Sequence, residues 1–162
     1  MKELIDKLST YNIFNYLFPG ITFVILLKEC TSYNFIQDDI IIGVFLYYLI
    51  GLVISRFGSL LIEPLLKKFR FLKFTEYKNF IKASKKDPKV DLFSEINNMY
   101  RTICSLFLLL LIFKLYDFIE KEIPFIKTWS IELLIILLLC LFLFSYRKQT
   151  RYIKERVEVN NE

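Results

Sequence analysis

Four long apolar segments constrain this chain more than any other feature. A helix needs about 20 mostly apolar residues to cross the hydrocarbon of a bilayer, and fewer when aromatic or long basic residues extend its ends. Segments of this kind run over about 11–27, 40–62, 102–119 and 128–146. The second holds "IIIGVFLYYLIGLVIS", uncharged until Arg56; the third is built around "ICSLFLLLLIF" and the fourth around "IELLIILLLCLFLFSY". In lipid every backbone polar group must be satisfied within the segment, which selects helix. With 55% hydrophobic residues and a mean hydropathy of +0.43 over 162 residues, the chain is too apolar for an ordinary soluble domain. The expected fold is all-α: one membrane domain, a four-helix transmembrane bundle with helical cytoplasmic extensions.

The chain contains no histidine. That removes the usual general base near neutral pH and the commonest transition-metal ligand, so hydrolase and zinc-site readings lose their footing. Cys30, Cys104 and Cys140 are odd in number and lack metal spacing, and small buried hydrophobes are the expected role. No catalytic, cofactor-binding or metal-binding residue is expected. The N-terminal "MKELIDKLST" carries both signs of charge and lacks the basic start of a secretory signal, so the first apolar segment is read as a retained span.

Orientation follows from lysine and arginine, which favour the cytoplasmic side. Residues 56–101 hold eleven of them and the tail from Arg147 holds five, against Lys28, Lys114, Lys121 and Lys127 on the opposite loops. Four spans then place both termini in the cytoplasm of a bacterial inner membrane, with net charge +8 inside and −3 outside. This bias serves topology; it also offers a basic surface to anionic lipid headgroups or an acidic partner. The residues expected to make such contacts are Lys67, Lys68, Arg70, Lys73, Lys85, Lys86 and Lys89, while direct nucleic-acid binding is not expected.

The loop of about 63–101 is too short to build a core unaided and reads as extensions of the bundle. "PLLKKFRFLKF", from Pro64 to Phe74, reads as a helix lying at the headgroups. Asp87 before Pro88 reads as a helix start running into span three without a break. Val90, Phe93, Ile96, Met99 and Tyr100 recur at helical spacing there and need a covering partner. The tail 147–162 is expected to prolong span four to about Lys154 and then fray.

Polar residues inside the spans mark contacts. Gly51, Ser55 and Ser59 keep a four-residue interval and, with Gly58, suit close helix approach within a subunit or between subunits. Arg56 and Glu63, seven residues apart and so on nearly the same face, read either as boundary residues or as a polar cluster that rearranges, with Glu63 pairing to Arg56 through intervening groups or to a base from another helix. Asn12, Asn15, Pro19 and Thr22 form one stripe on an α-helix; the alternative is a helix entrance capped by Ser9 or Thr10. Lys114 and Asp117 are spaced to pair, and Glu132 lies near Trp129 at the outer boundary. No span has repeated ionisable residues at its centre, which disfavours a proton relay, voltage sensor or ion-coupled transporter.

The runs "DKLSTYNIFNYLFPGITF" and "GLVISRFGSLLIEPLLK" together resemble small multi-pass membrane components of bacterial anti-phage defence loci, of the Kiwa or retron type. Asn12, Asn15, Pro19, Gly20, Arg56, Gly58, Glu63 and Pro64 carry the resemblance. It implies an oligomeric inner-membrane sensor or effector coupled to a cytoplasmic protein that recognises infection. The expected function is therefore non-enzymatic: a homo-oligomeric subunit of an antiviral defence system that docks a cytoplasmic partner through its basic loop. Two other readings are a pore that depolarises the membrane, lined by polar faces of spans one and two, and an anchor or scaffold of an unrelated complex. An enzyme acting on lipid-linked substrate through Glu63 or Asp38 and Asp39 has no motif in its support.

Overall fold

The computed structural model describes residues 10–123 and 125–161. Met1 to Ser9 lie outside the described residues, and with them the reading of the N-terminal charges and of the Ser9 cap. Among the described residues the fold is helices and turns, without a strand. Helix α1 comprises Thr10–Asn12, a π turn at Ile13–Leu17 and Phe18–Cys30. Helix α2, Ile40–Lys68, contains a second π turn at Gly58–Ile62. Next in the chain are α3 (Tyr77–Lys86), α4 (Lys89–Glu122), the short α5 (Phe125–Thr128) and α6 (Ser130–Asn161). Helices α1, α2, α4 and α6 are long and apolar enough to cross a membrane.

Both π turns stand immediately before a proline. Phe18 donates its amide to the Ile13 carbonyl and Glu63 donates to Gly58, each reaching back five residues, with Pro19 and Pro64 next in the chain. Proline has no amide proton, and its ring crowds the carbonyl one turn back. A widened turn relieves that crowding and inserts an extra residue, which rotates the remainder of the helix by roughly 100° relative to an unbroken α-helix.

Helices α1, α2 and α4 pack around Phe23, Val24, Leu27, Ile54, Leu106 and Leu110. Two glycines set how closely α1 and α2 approach. A Cβ at Gly20 would overlap the Tyr47 carbonyl oxygen, and one at Gly51 would overlap the Tyr16 carbonyl oxygen. Helix α6 is different: none of its most apolar stretch is buried by protein. It is fastened near its ends, by a 2.7 Å hydrogen bond between Ser130 Oγ and Tyr116 Oη and by Lys148 and Tyr152 at the other end.

The loops sort to two ends. At one, Asp117 binds Ser32 and Tyr33 donates its hydroxyl to Glu120; burial first, and then the Glu120 carboxylate, pushes the Tyr33 phenol above its ordinary range. At the other, α3 packs on both α4 and α6. This second end carries the lysines and arginines of 56–101 and of the tail.

Several expectations are corrected. The segment Pro64–Phe74 does not form one helix: α2 stops at Lys68, and Arg70 (φ 59°) reverses the chain. Phe71 donates to Leu66 O at 3.0 Å and Arg70 to Lys67 O at 3.0 Å, a Schellman closure. The interleaved apolar residues of this segment never formed a single stripe that could favour a surface helix. Asp117 pairs with Lys121 at 2.7 Å rather than with Lys114, because a base one full turn after an acid faces it better. The tail is helical to Asn161 rather than fraying after Lys154, with Val159 buried. The cysteines are exposed rather than buried, since all three point away from the bundle.

Candidate functional site: a polar joint at the basic end

Asn15 has 1% exposure and is held from three sides. Its Nδ2 donates to Tyr11 Oη at 3.2 Å and lies 3.4 Å from Ser55 Oγ, while its Oδ1 accepts from Thr102 Oγ1 at 2.9 Å. The Thr102 hydroxyl also faces the Asn98 carbonyl at 2.9 Å. Asn98 in turn reaches Tyr11 Oη at 3.4 Å. One amide thus links α1, α2 and α4 where water is scarce, and each polar atom has a partner.

The charged layer lies within two turns of α2. Glu63 Oε2 accepts from Arg101 Nη1 at 2.6 Å and Oε1 from Lys67 Nζ at 2.7 Å, with Lys148 Nζ 3.9 Å away. Lys148 also donates to the carbonyl and the hydroxyl of Ser59, both at 2.7 Å. Glu63 and Ser59 therefore connect α2 to α4 and α6. Gly58 makes room, since a Cβ there would overlap Ser105 Oγ. Lys148 lies beyond the apolar part of α6; burial pulls its ammonium below the ordinary lysine range, with Glu63 opposing and Arg101, Lys67 and Arg151 adding to the shift.

Arg56 and Glu63 are not partners. The π turn between them breaks the seven-residue spacing, and Arg56 Nη2 instead donates to Tyr16 Oη at 3.2 Å. Gly51, Ser55, Gly58 and Ser59 are all buried inside the chain, against α1, α4 and α6 in turn. Pro19 is buried beside them and Asn12 is half-buried at the start of α1. Of the basic loop residues, Lys67 joins the cluster; Lys68, Arg70, Lys73, Lys85, Lys86 and Lys89 are exposed and spread over α2, the turn, α3 and the start of α4. Asp39 caps α2, accepting from Ile41 and Ile42 at 2.8 and 3.0 Å, and Asp87 accepts from Lys89 at 2.9 Å where α4 begins.

Sequence reasoning missed the partners on the other helices: Tyr11, Tyr16, Asn98, Arg101, Thr102, Ser105 and Lys148. A signal existed, because Asn98, Arg101 or Thr102, and Ser105 recur at helical spacing on α4 and form a polar stripe matching that of α1.

A cavity of about 400 Å³ opens beside this layer, where Arg56, Lys67, Arg101, Lys148 and Arg151 face Glu63 and Glu155. Among the described residues, Arg101 Nε and Ser145 Oγ are buried without a hydrogen-bond partner.

Fold and composition together define a helical membrane protein with four candidate spans. No family model matches the chain, and no curated protein or solved structure matches it.

Proposed function

We propose that this chain is a non-enzymatic, oligomeric inner-membrane subunit that senses or transmits a signal in anti-phage defence, with its basic end and both termini in the cytoplasm. The observation that carries the signalling part is the contrast between α6 and the rest. Helices α1, α2 and α4 share a packed core, whereas none of the apolar run of α6 is buried, and α6 is held on either side of that run, by Ser130 before it and by Lys148 and the Tyr77–Tyr152 stack after it. A helix held in this way repacks against a second copy without disturbing the core. The defence setting is supported by the resemblance of residues 6–23 and 51–67.

Partner docking is supported by the stretch of α4 before its apolar segment. Leu92, Phe93, Ile96 and Tyr100 remain exposed there although α3 packs nearby, and Lys85, Lys86 and Lys89 flank them. A partner with apolar anchors and an acidic rim fits that surface. Pore formation has less support: Asn15, Ser55 and Ser59, the polar residues a lining would need, are occupied inside one subunit.

The test is phage plating on cells carrying the gene together with its chromosomal neighbours. The proposal predicts reduced plating of at least one phage, lost when Lys67, Lys68, Lys85, Lys86 and Lys89 are replaced by glutamine. Unchanged plating on the wild-type strain across a broad panel overturns the defence role. Protection that survives the five substitutions reduces the loop to a topology signal.

A further inference from the structure

Two spaces meet at Arg56. One is the basic cavity beside the Glu63 layer. The other is a cleft of about 440 Å³ between α2 and α6, lined by Leu52, Arg56, Phe142, Ser145, Tyr146 and Gln149. The cavity has five cationic side chains against two carboxylates. Glu63 is already engaged through both oxygens, and Glu155 lies 3.7 Å from Arg151, so neither has capacity to neutralise the rest. Arg56 has five N–H donors, and its hydrogen bond among the described residues is the one to Tyr16. Arg101 already donates through Nη1 to Glu63, and its Nε, without a hydrogen-bond partner among the described residues, is buried away from the cavity, so the open donors are those of Arg56. A partly enclosed site with surplus positive charge and open donors is built for a group with several anionic oxygens, which is the chemistry of phosphate.

The cleft adds a second requirement. Leu52 and Phe142 lie in the apolar parts of α2 and α6, which the proposed membrane spans place in hydrocarbon. A water-soluble phosphate compound would use the cavity and leave the cleft empty. An amphiphile uses both, with its phosphate beside Arg56, Arg101 and Lys148 and a chain running along Leu52 and Phe142. We infer that the chain holds an anionic glycerophospholipid in this composite site, its headgroup phosphate in the basic cavity and an acyl chain in the cleft between α2 and α6. The cavity volume falls within the usual range for ligand sites, about 300–1,000 Å³, while the cleft is a shallow groove open along one side. The lipid would bridge α2 and α6 where protein contacts are sparse, and the inference stands apart from partner docking and from any role in defence.

The full chain in maltoside micelles is titrated with phosphatidylglycerol, phosphatidylcholine and sn-glycerol 3-phosphate, with bound species counted by native mass spectrometry. Phosphatidylglycerol should bind about tenfold or more tightly than phosphatidylcholine, and Arg56→Gln should lower its affinity by about tenfold. Ser145→Trp fills the cleft and leaves the charges in place, so it should abolish lipid binding while sparing glycerol phosphate. Far-ultraviolet circular dichroism confirms the fold of each variant; if Arg56→Gln does not fold, Ser145→Trp still decides. Equal affinity for the two lipids, or phosphatidylglycerol binding unchanged by Ser145→Trp, overturns the proposal. Glycerol phosphate binding as tightly as phosphatidylglycerol assigns the cavity to a soluble phosphate and overturns the lipid.

Discussion

Asn15 is the residue on which three helices converge, and its neighbours predict the effect of losing it. Asn15→Leu removes hydrogen bonds to Thr102, Ser55 and Tyr11 and leaves their hydroxyls in an apolar setting. Such bonds in membrane proteins average well below those of vacuum estimates, so the expected loss is about 1 kcal/mol, read by reversible unfolding in mixed micelles. The glycines allow a sharper comparison. Gly51→Ala drives a methyl into the Tyr16 backbone and should destabilise by about 1–3 kcal/mol in the same assay. Gly43→Ala meets the Tyr47 ring at 3.2 Å, the movable end of a side chain, and should be neutral or gain up to about 1 kcal/mol of helix propensity. A polar residue inside an apolar run is visible in a sequence, and Asn15 and Ser55 stood out for that reason. Gly20 carried no such mark as a packing residue, because its role depends on a carbonyl of another helix.

At the scale of the element, the π turns explain why spacing arguments held in some places and failed in others. Intervals within Gly51–Ser55 are unbroken α-helix and kept their face, whereas the Arg56–Glu63 interval crosses Gly58–Ile62, and the two side chains border one cavity but take different partners, Tyr16 and Arg101. A proline in the sequence announces a disturbed turn, but the register shift depends on which carbonyl the preceding amide finds. The joint this shift creates should be cooperative. In a double-mutant cycle, Glu63→Gln and Arg101→Gln should show a coupling of about 1 kcal/mol, since loss of Glu63 strips Arg101 of its carboxylate whereas Glu63 keeps Lys67 and Lys148 when Arg101 is lost; additive losses would mean the pair is solvated. Arg70 offers the opposite sign. It occupies a left-handed position favoured by glycine, so Arg70→Gly should raise stability by about 1 kcal/mol. The end of α2 at Lys68 was hidden in the sequence because alternating lysines and phenylalanines satisfy a helix and a turn about equally well.

For the whole molecule, hydropathy alone located the four helices long and apolar enough to cross a membrane, because an apolar run of that length has few other uses. What it left out was their unequal packing: residues of α6 are as apolar as those of α4, and nothing in composition separates a lipid-facing leucine from a protein-facing one. The two ends of the bundle bear opposite charge bias, and the proposed orientation puts the basic end, with the Glu63 joint and both termini, in the cytoplasm. Cysteine labelling tests this most directly. In a chain with Cys30, Cys104 and Cys140 replaced by alanine, single cysteines are placed at Lys86, Lys127 and Asn160, and intact cells are treated with a membrane-impermeant maleimide. With the basic end inside, Lys127→Cys should react in intact cells while Lys86→Cys and Asn160→Cys react only after permeabilisation; reaction of Lys86→Cys before permeabilisation, or of the two basic-end sites on different sides, would contradict that orientation.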